Sequence, residues 1–298
     1  MRNTFIHCGT NQLYEISYQH EEYAVVKDVR RGNYLRVSGR VFQFLNNCTD
    51  AESGRLCTEL FSKVPPSSKK AFFLTKRVLE HRIPSWLVPS TLSFLFSSPL
   101  LMAVVIVLSL AFACTLHWEN NISLLRGTSL IWIILNIIFH EMGHVLACIQ
   151  AGREVGSVGI KLNYGLPMFF VDTRDICMAP RRGRIATSLG GVYANSLLLF
   201  GLFAVELAIQ RSCMVLMGIS LSFIISNLIP FARLDGYYLL SDLLGSSNLS
   251  HDSRRALKNW LKTQHTPQRP AYIIYGLLRL IFISIIIFEI FLNLSRYV

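Results

Sequence analysis

With 52% of its 298 residues hydrophobic and only 16% charged, this chain falls below the roughly 25% charged residues of an ordinary soluble domain, which argues against a single water-soluble fold. A formal net charge of +11 is compatible with nucleic acid. However, basic residues beside long apolar runs more simply mark segments held on the cytosolic side of a bilayer, so no nucleic-acid partner is expected.

The residues that open the chain show neither an unbroken apolar stretch nor a small-residue cleavage site, so no removable signal peptide is expected and the amino terminus is read as cytosolic. Residues 1–85 are polar and mixed. Segments 23–27 and 34–37 alternate as strands joined by the turn-like Arg30-Arg31-Gly32-Asn33, and 41–45 and 51–61 carry helical apolar spacing. This predicts a small cytosolic α+β domain over 1–85. Past the linker-like Val64-Pro65-Pro66-Ser67-Ser68-Lys69-Lys70, an α-helical multi-pass membrane domain is expected over 86–298.

Four runs reach the ~20 residues needed to cross a bilayer, 97–118, 128–149, 185–210 and 271–294, and a fifth, 212–231, brings the expected spans to about five. Lys and Arg concentrate in 63–82, 153–184 and 233–269, against Arg126, Arg211 and Arg296 in the alternate loops. That asymmetry predicts a cell-membrane protein with its amino terminus in and its carboxyl terminus out. No internal repeat is visible, so the two-fold plan of many secondary transporters is not expected. Segment 162–171 is apolar but too short to span, and Gly165 and Pro167 would interrupt a helix. It reads either as a re-entrant hairpin lining a cavity or as a strand pair on the cytosolic surface.

Cysteines at 8, 48, 57, 114, 148, 177 and 213 show no CxxC pair and are read as reduced, space-filling residues. Cys148, one turn beyond His144, is read as core packing. Glu206, Glu289 and Asn136 are the further polar residues weighed at membrane depth; they are too dispersed for a transport pathway and suit span ends or interhelical hydrogen bonds. His81, His117, His251 and His265 are isolated. Arg181, Arg182 and Arg184 suit a helix start facing anionic lipid, or an acidic substrate tail.

The chemistry concentrates in His140-Glu141-Met142-Gly143-His144, near the end of the second run. On a helix, positions i and i+4 lie about 40° apart on one face, so both imidazoles reach one ion. Glu141 sits roughly 100° round, placed to take a proton from water at that ion without being a ligand. The nearly apolar stretch 130–139 ahead of it makes three polar side chains there costly unless they act. A catalytic zinc takes three protein ligands and keeps a further position open. Asp235, in Asn227-Leu228-Ile229-Pro230-Phe231-Ala232-Arg233-Leu234-Asp235-Gly236, is the candidate third; the alternative, which local sequence alone favours, is that it is only the N-cap of a helix over 236–244.

HExxH on one apolar run followed by N-x-x-P…L-D-G on another resembles the site-2 protease family of intramembrane zinc metalloproteases, over roughly residues 125–245. The resemblance implies that His140, His144 and Asp235 bind Zn2+ and that Glu141 is the base. The elements Phe170-Val171-Asp172-Thr173-Arg174-Asp175, Pro180-Arg181-Arg182-Gly183-Arg184-Ile185, Gly190-Gly191-Val192-Tyr193-Ala194-Asn195 and Leu234-Asp235-Gly236-Tyr237-Tyr238-Leu239-Leu240-Ser241-Asp242 look like the peptide zinc metalloprotease branch found with bacterial peptide-maturation and export genes. This chain carries Gly191-Val192 where that branch usually shows Gly-Pro. By the same resemblance Asn195 would contact substrate or the developing oxyanion; a polar interhelical contact is the alternative. Segment 23–61 resembles the PqqD-like leader-recognition domain, which captures an extended peptide along a sheet edge; a cytosolic cap without a ligand is the alternative.

These readings predict a membrane-embedded zinc metalloendopeptidase acting on a membrane-associated peptide or protein, in maturation or export of a ribosomally made peptide or in regulated release of a membrane-bound regulator. The rivals are a receptor or scaffold on the same fold that does not cut, and a transporter, which would need a continuous polar path. Substrate identity and oligomeric state are not legible in the residues.

Overall fold

The computed structural model describes residues 4–8, 12–20, 23–29, 33–47, 50–63, 75–82, 90–116, 127–163, 166–209, 213–246, 248–263 and 270–295. It is mainly helical, with strands in the amino-terminal part and in one hairpin. By its internal contacts the chain divides into two compact units, Met1–Ile224 and Ile225–Val298. The linker-like 64–70, the turn at 30–32 and the domain boundary expected near 85 lie outside the described residues.

The first unit opens with β1 (Thr4–Cys8), β2 (Gln12–His20), β3 (Tyr23–Asp28) and β4 (Asn33–Ser38), an antiparallel sheet in sequence order, followed by α1 (Gly39–Asn47) and α2 (Asp50–Lys63). Alternation sets its first face: Tyr14, Ile16, Ala24, Val26 and Val37 pack on Leu45 and Cys57 of the two helices. The residues between them face the other way and are buried too. Glu15 and Lys27 are each only 5% exposed, and Val25 packs on Met178.

An ion network covers that second face. Arg153 bridges Glu15 and Asp175, at 2.8 Å to each, and Lys27 reaches Asp175 at 2.6 Å. Tyr34 Oη donates to Asp175 Oδ1 at 2.8 Å. Burial alone would raise the Asp175 carboxyl, but hydrogen bonds from Arg153, Lys27, the Glu154 amide and Tyr34 outweigh it and hold the group at about 2. Burial opposes the charge on Lys27 as well, and bonding to Asp175 overcomes it, so the ammonium titrates above its usual range.

Strand β5 (Thr75–Arg82) joins a hairpin of β6 (Ser157–Asn163) and β7 (Leu166–Val171) in a second antiparallel sheet, order β5-β6-β7. The described residues of segment 162–171 thus belong to a strand pair, in register from Val158↔Val171 to Asn163↔Leu166. Pairing across the ladder suits a segment in which Pro167 would interrupt a helix; Gly165 lies outside the described residues.

All five apolar runs are helices. A short helix α3 (Ser90–Ser93) precedes α4 (Pro99–Thr115), α5 (Gly127–Gln150), α6 (Arg181–Ile209) and α7 (Met214–Leu228); α8 (Asp235–Leu243), α9 (Leu249–Thr263) and α10 (Pro270–Ser295) follow. Three of them, α5, α6 and α10, contain stretches long and apolar enough to cross a membrane, whereas α4 and α7 are shorter apolar helices. Within the second unit, Tyr237, Leu249 and Tyr275 form the core with Phe231, Leu240, Leu244 and Tyr272.

Candidate metal centre

Helices α5 and α6 cross at two glycines. A Cβ on Gly190 would lie 2.6 Å from the Gly143 carbonyl oxygen, and one on Gly143 would strike the Gly190 carbonyl. Only hydrogen at both positions allows the backbones to meet this closely. The crossing places α6 directly against the HExxH turns. At the next residue along, a Cβ on Gly191 would fall 2.6 Å from His140 Cε1 and 2.7 Å from Nε2 of each imidazole. Backbone alone walls the pair there, and any side chain would fill the space that a cation needs.

The imidazoles are oriented by acceptors. His144 Nδ1 lies 2.8 Å from the Thr187 carbonyl oxygen, which can only accept, so that nitrogen carries the proton. His140 Nδ1 lies 2.7 Å from Asn195 Oδ1. The polarity of this second bond is set further back. Asn136 Nδ2 donates to Trp132 O at 2.9 Å, which turns Asn136 Oδ1 toward Asn195. Asn195 Nδ2 then donates to Asn136 O at 3.0 Å and to Oδ1 at 3.1 Å, leaving its own Oδ1 for His140. Trp132 is held in turn, its Nε1 donating to Leu216 O at 2.9 Å and Ser220 Oγ at 3.0 Å.

With each Nδ1 directed at an oxygen, the two Nε2 atoms face each other 3.2 Å apart. Two imidazole nitrogens turned toward each other at this spacing can serve one shared cation. Tetrahedral zinc with nitrogen ligands at about 2.05 Å has an N···N edge of about 3.3 Å, and imidazole is among its preferred donors. The pair fits that ion. Carbonyl-type oxygens on the far nitrogens are what ligating histidines commonly use to fix the ring and raise its basicity.

Of the residues singled out from sequence, His140, His144 and Asn195 meet in this unit. Glu141 is half-buried on the same helix. Asn195 is fully buried, and its hydrogen bonds to His140 and Asn136 give it the orientation of His140. Helix α6 runs unbroken through Val192, so the absence of proline there leaves the backbone helical. Asp235 belongs to the second unit, where Leu234 holds the N-cap position and Asp235 opens α8 itself. A Cβ on Gly236 would strike the Leu228 carbonyl, which explains glycine after the aspartate. Asn136 and Gly191 were not legible as parts of the centre. Asn136 reads only as a polar residue at membrane depth, and Gly191 as one of two adjacent helical glycines.

No protein-family model matches the chain, and no solved structure matches it. A Bacillus subtilis (strain 168) protein named "Putative peptide zinc metalloprotease protein YydH" is 34% identical over 134 residues, which is 44% of this chain and 52% of that protein. The chain thus spans about half the length of the curated relative it matches.

Proposed function

We propose that this chain is an intramembrane zinc metalloendopeptidase of the site-2 protease type that cleaves a membrane-associated peptide, in maturation or export of a ribosomally made peptide, with its amino-terminal domain on the cytosolic side of the cell membrane. One observation carries the reading: two imidazoles from an HExxH turn, each held by an acceptor at Nδ1, bring their Nε2 atoms together at a spacing that suits zinc. The similarity to a protein named as a peptide zinc metalloprotease supports it.

In this reading His140 and His144 hold the metal and Asp235 supplies the third ligand, as the N-x-x-P…L-D-G resemblance implies. Bound zinc contributes acidification of water and polarisation of a carbonyl. Glu141 takes the proton from the attacking water and returns it to the leaving amine. Asn195 keeps His140 in one tautomer, so that no proton competes for Nε2. A transmembrane substrate hides its carbonyls in its own helical hydrogen bonds. It needs replacement partners once unwound, and β7, last in the strand order of its sheet, is the strand to which it would add. The amino-terminal sheet suits capture of a leader peptide by the same mode.

The experiment is co-expression of candidate neighbouring small peptides with wild-type protein and with Glu141→Gln, followed by mass measurement. A peptide shortened only by the wild type is the expected result; identical masses in both strains, with zinc bound, would make the chain a non-cleaving receptor.

A further inference from the structure

Arg279 lies inside α10, about nine residues and roughly 13 Å past Pro270 at 1.5 Å per residue, within the apolar stretch Pro270–Asn293. Tyr272, Tyr275 and Phe282 share its face at i−7, i−4 and i+3. Phe231, in the loop leading to Asp235, packs on two of them, with ring centroids 5.8 Å from Tyr275 and 5.1 Å from Phe282. Tyr275 Oη also donates to Pro230 O at 3.1 Å. The other faces of α10 carry Leu277, Leu278, Leu280 and Ile281, all exposed. Arg279 therefore shares the loop-facing side of the helix, opposite its most apolar exposed surface.

The Nε–H of Arg279 is buried with no hydrogen-bond partner among the described residues, and none of the ion pairs among them involves it. The side chain as a whole is half-buried, and an unmatched buried donor on it is costly. Nε–H together with the adjacent Nη–H is the edge that grips a carboxylate with two parallel bonds. In the structure the Nε–H on that edge is enclosed and has no hydrogen-bond partner among the described residues.

We propose that Arg279 receives a carboxylate of the peptide substrate, an acidic side chain or a free carboxyl terminus, beside the loop that carries Asp235. This deepens the peptidase reading and rests on it for the identity of the ligand as a peptide. A lipid phosphate has the same charge chemistry, but the side chain shares the face that packs on the loop, and this favours the peptide.

The test uses the full chain with Glu141→Gln in nanodiscs, so that binding is read without cleavage. The probe is one fluorescent apolar peptide made with either a free carboxyl terminus or a carboxyl-terminal amide. The acid is expected to bind roughly tenfold or more tightly than the amide. Arg279→Lys should shrink that preference and Arg279→Gln should erase it, whereas Arg255→Gln, on the exposed side of α9, should leave it intact. Equal binding of acid and amide, or a preference that survives Arg279→Gln, overturns the proposal. So does a preference in phosphatidylcholine discs that is lost when glycerol phosphate is added at constant ionic strength, because a phosphate is then the better occupant. If Arg279→Gln does not fold, the lysine variant decides the matter, and an undiminished preference there overturns the assignment. Failure of the peptidase reading looks different: the acid preference stays, but the wild-type chain holds no zinc and cuts nothing.

Discussion

His140 and His144 bring their Nε2 atoms to 3.2 Å while each gives its Nδ1 proton to an oxygen, Asn195 Oδ1 and Thr187 O respectively. Metal affinity should therefore depend on residues that never touch the metal. Replacing Asn136 with Leu removes the oxygen that pins the Asn195 amide and frees that amide to rotate. Zinc affinity, read by competition with a chelator, should fall by about 10- to 100-fold, the usual cost of losing such support. Unchanged affinity would show that the Asn136 backbone oxygen suffices.

Gly191 should tolerate no side chain. In Gly191→Ala the new methyl would overlap both Nε2 positions at 2.7 Å, so the protein should fold and lose its zinc, as metal analysis beside a thermal melt will report. A fully loaded alanine variant would mean that α6 can shift away from the pair.

Asp175 ties the amino-terminal sheet to the segment that follows α5, and its folded pKa of about 2 lies below the ordinary 3.8. A depressed carboxylate stabilises the fold above its unfolded pKa, and that contribution disappears as pH falls through the folded value. The attachment should hold at pH 5 and weaken between about pH 4 and 2, by about 2 kcal/mol in all. Asp175→Asn should cost about 3–5 kcal/mol at neutral pH, because Arg153 and Lys27 then lose a buried counter-charge. Hydrogen exchange of β2 and β3 measures both effects, and an exchange pattern flat from pH 5 to 2 would count against them.

Met168 sits within β7, opposite Lys161. Proline there removes an amide from a strand proposed to pair with unwound substrate. Met168→Pro should abolish turnover while leaving zinc content at the wild-type level; turnover that persists would remove β7 from the substrate path.

Much of this architecture was readable before any coordinates. The runs 97–118, 128–149, 185–210, 212–231 and 271–294 announce their helices by apolar length, although two of those helices, Pro99–Thr115 and Met214–Leu228, are short for a crossing. The imidazole pair follows from i, i+4 spacing alone, since helical geometry guarantees the shared face. Residues 23–27 and 34–37 alternate as strands should. Glu15 and Lys27 mislead for the same reason: period-two alternation with polar residues normally marks a solvent face, but here the covering groups are Asp175 and Arg153, more than a hundred residues along. Segment 162–171 left two readings open because short apolar runs carry no record of their pairing partner, and β5, which completes that sheet, lies in a different part of the chain. Arg279 escaped notice because a lone basic residue in an apolar run reads as tolerated, and only an atom-by-atom account of its partners sets it apart.

Arg153 stands between two acids, Glu15 from the amino-terminal sheet and Asp175 from the segment after the hairpin. Trimming the chain to its apolar helices and hairpin would strand that guanidinium against one carboxylate where it now answers two, and would bare the apolar contact between Val25 and Met178. The sheet is thus ill suited to removal or exchange as a detachable module: any substitute grafted onto this scaffold must bring an acid of its own to the place that Glu15 now fills.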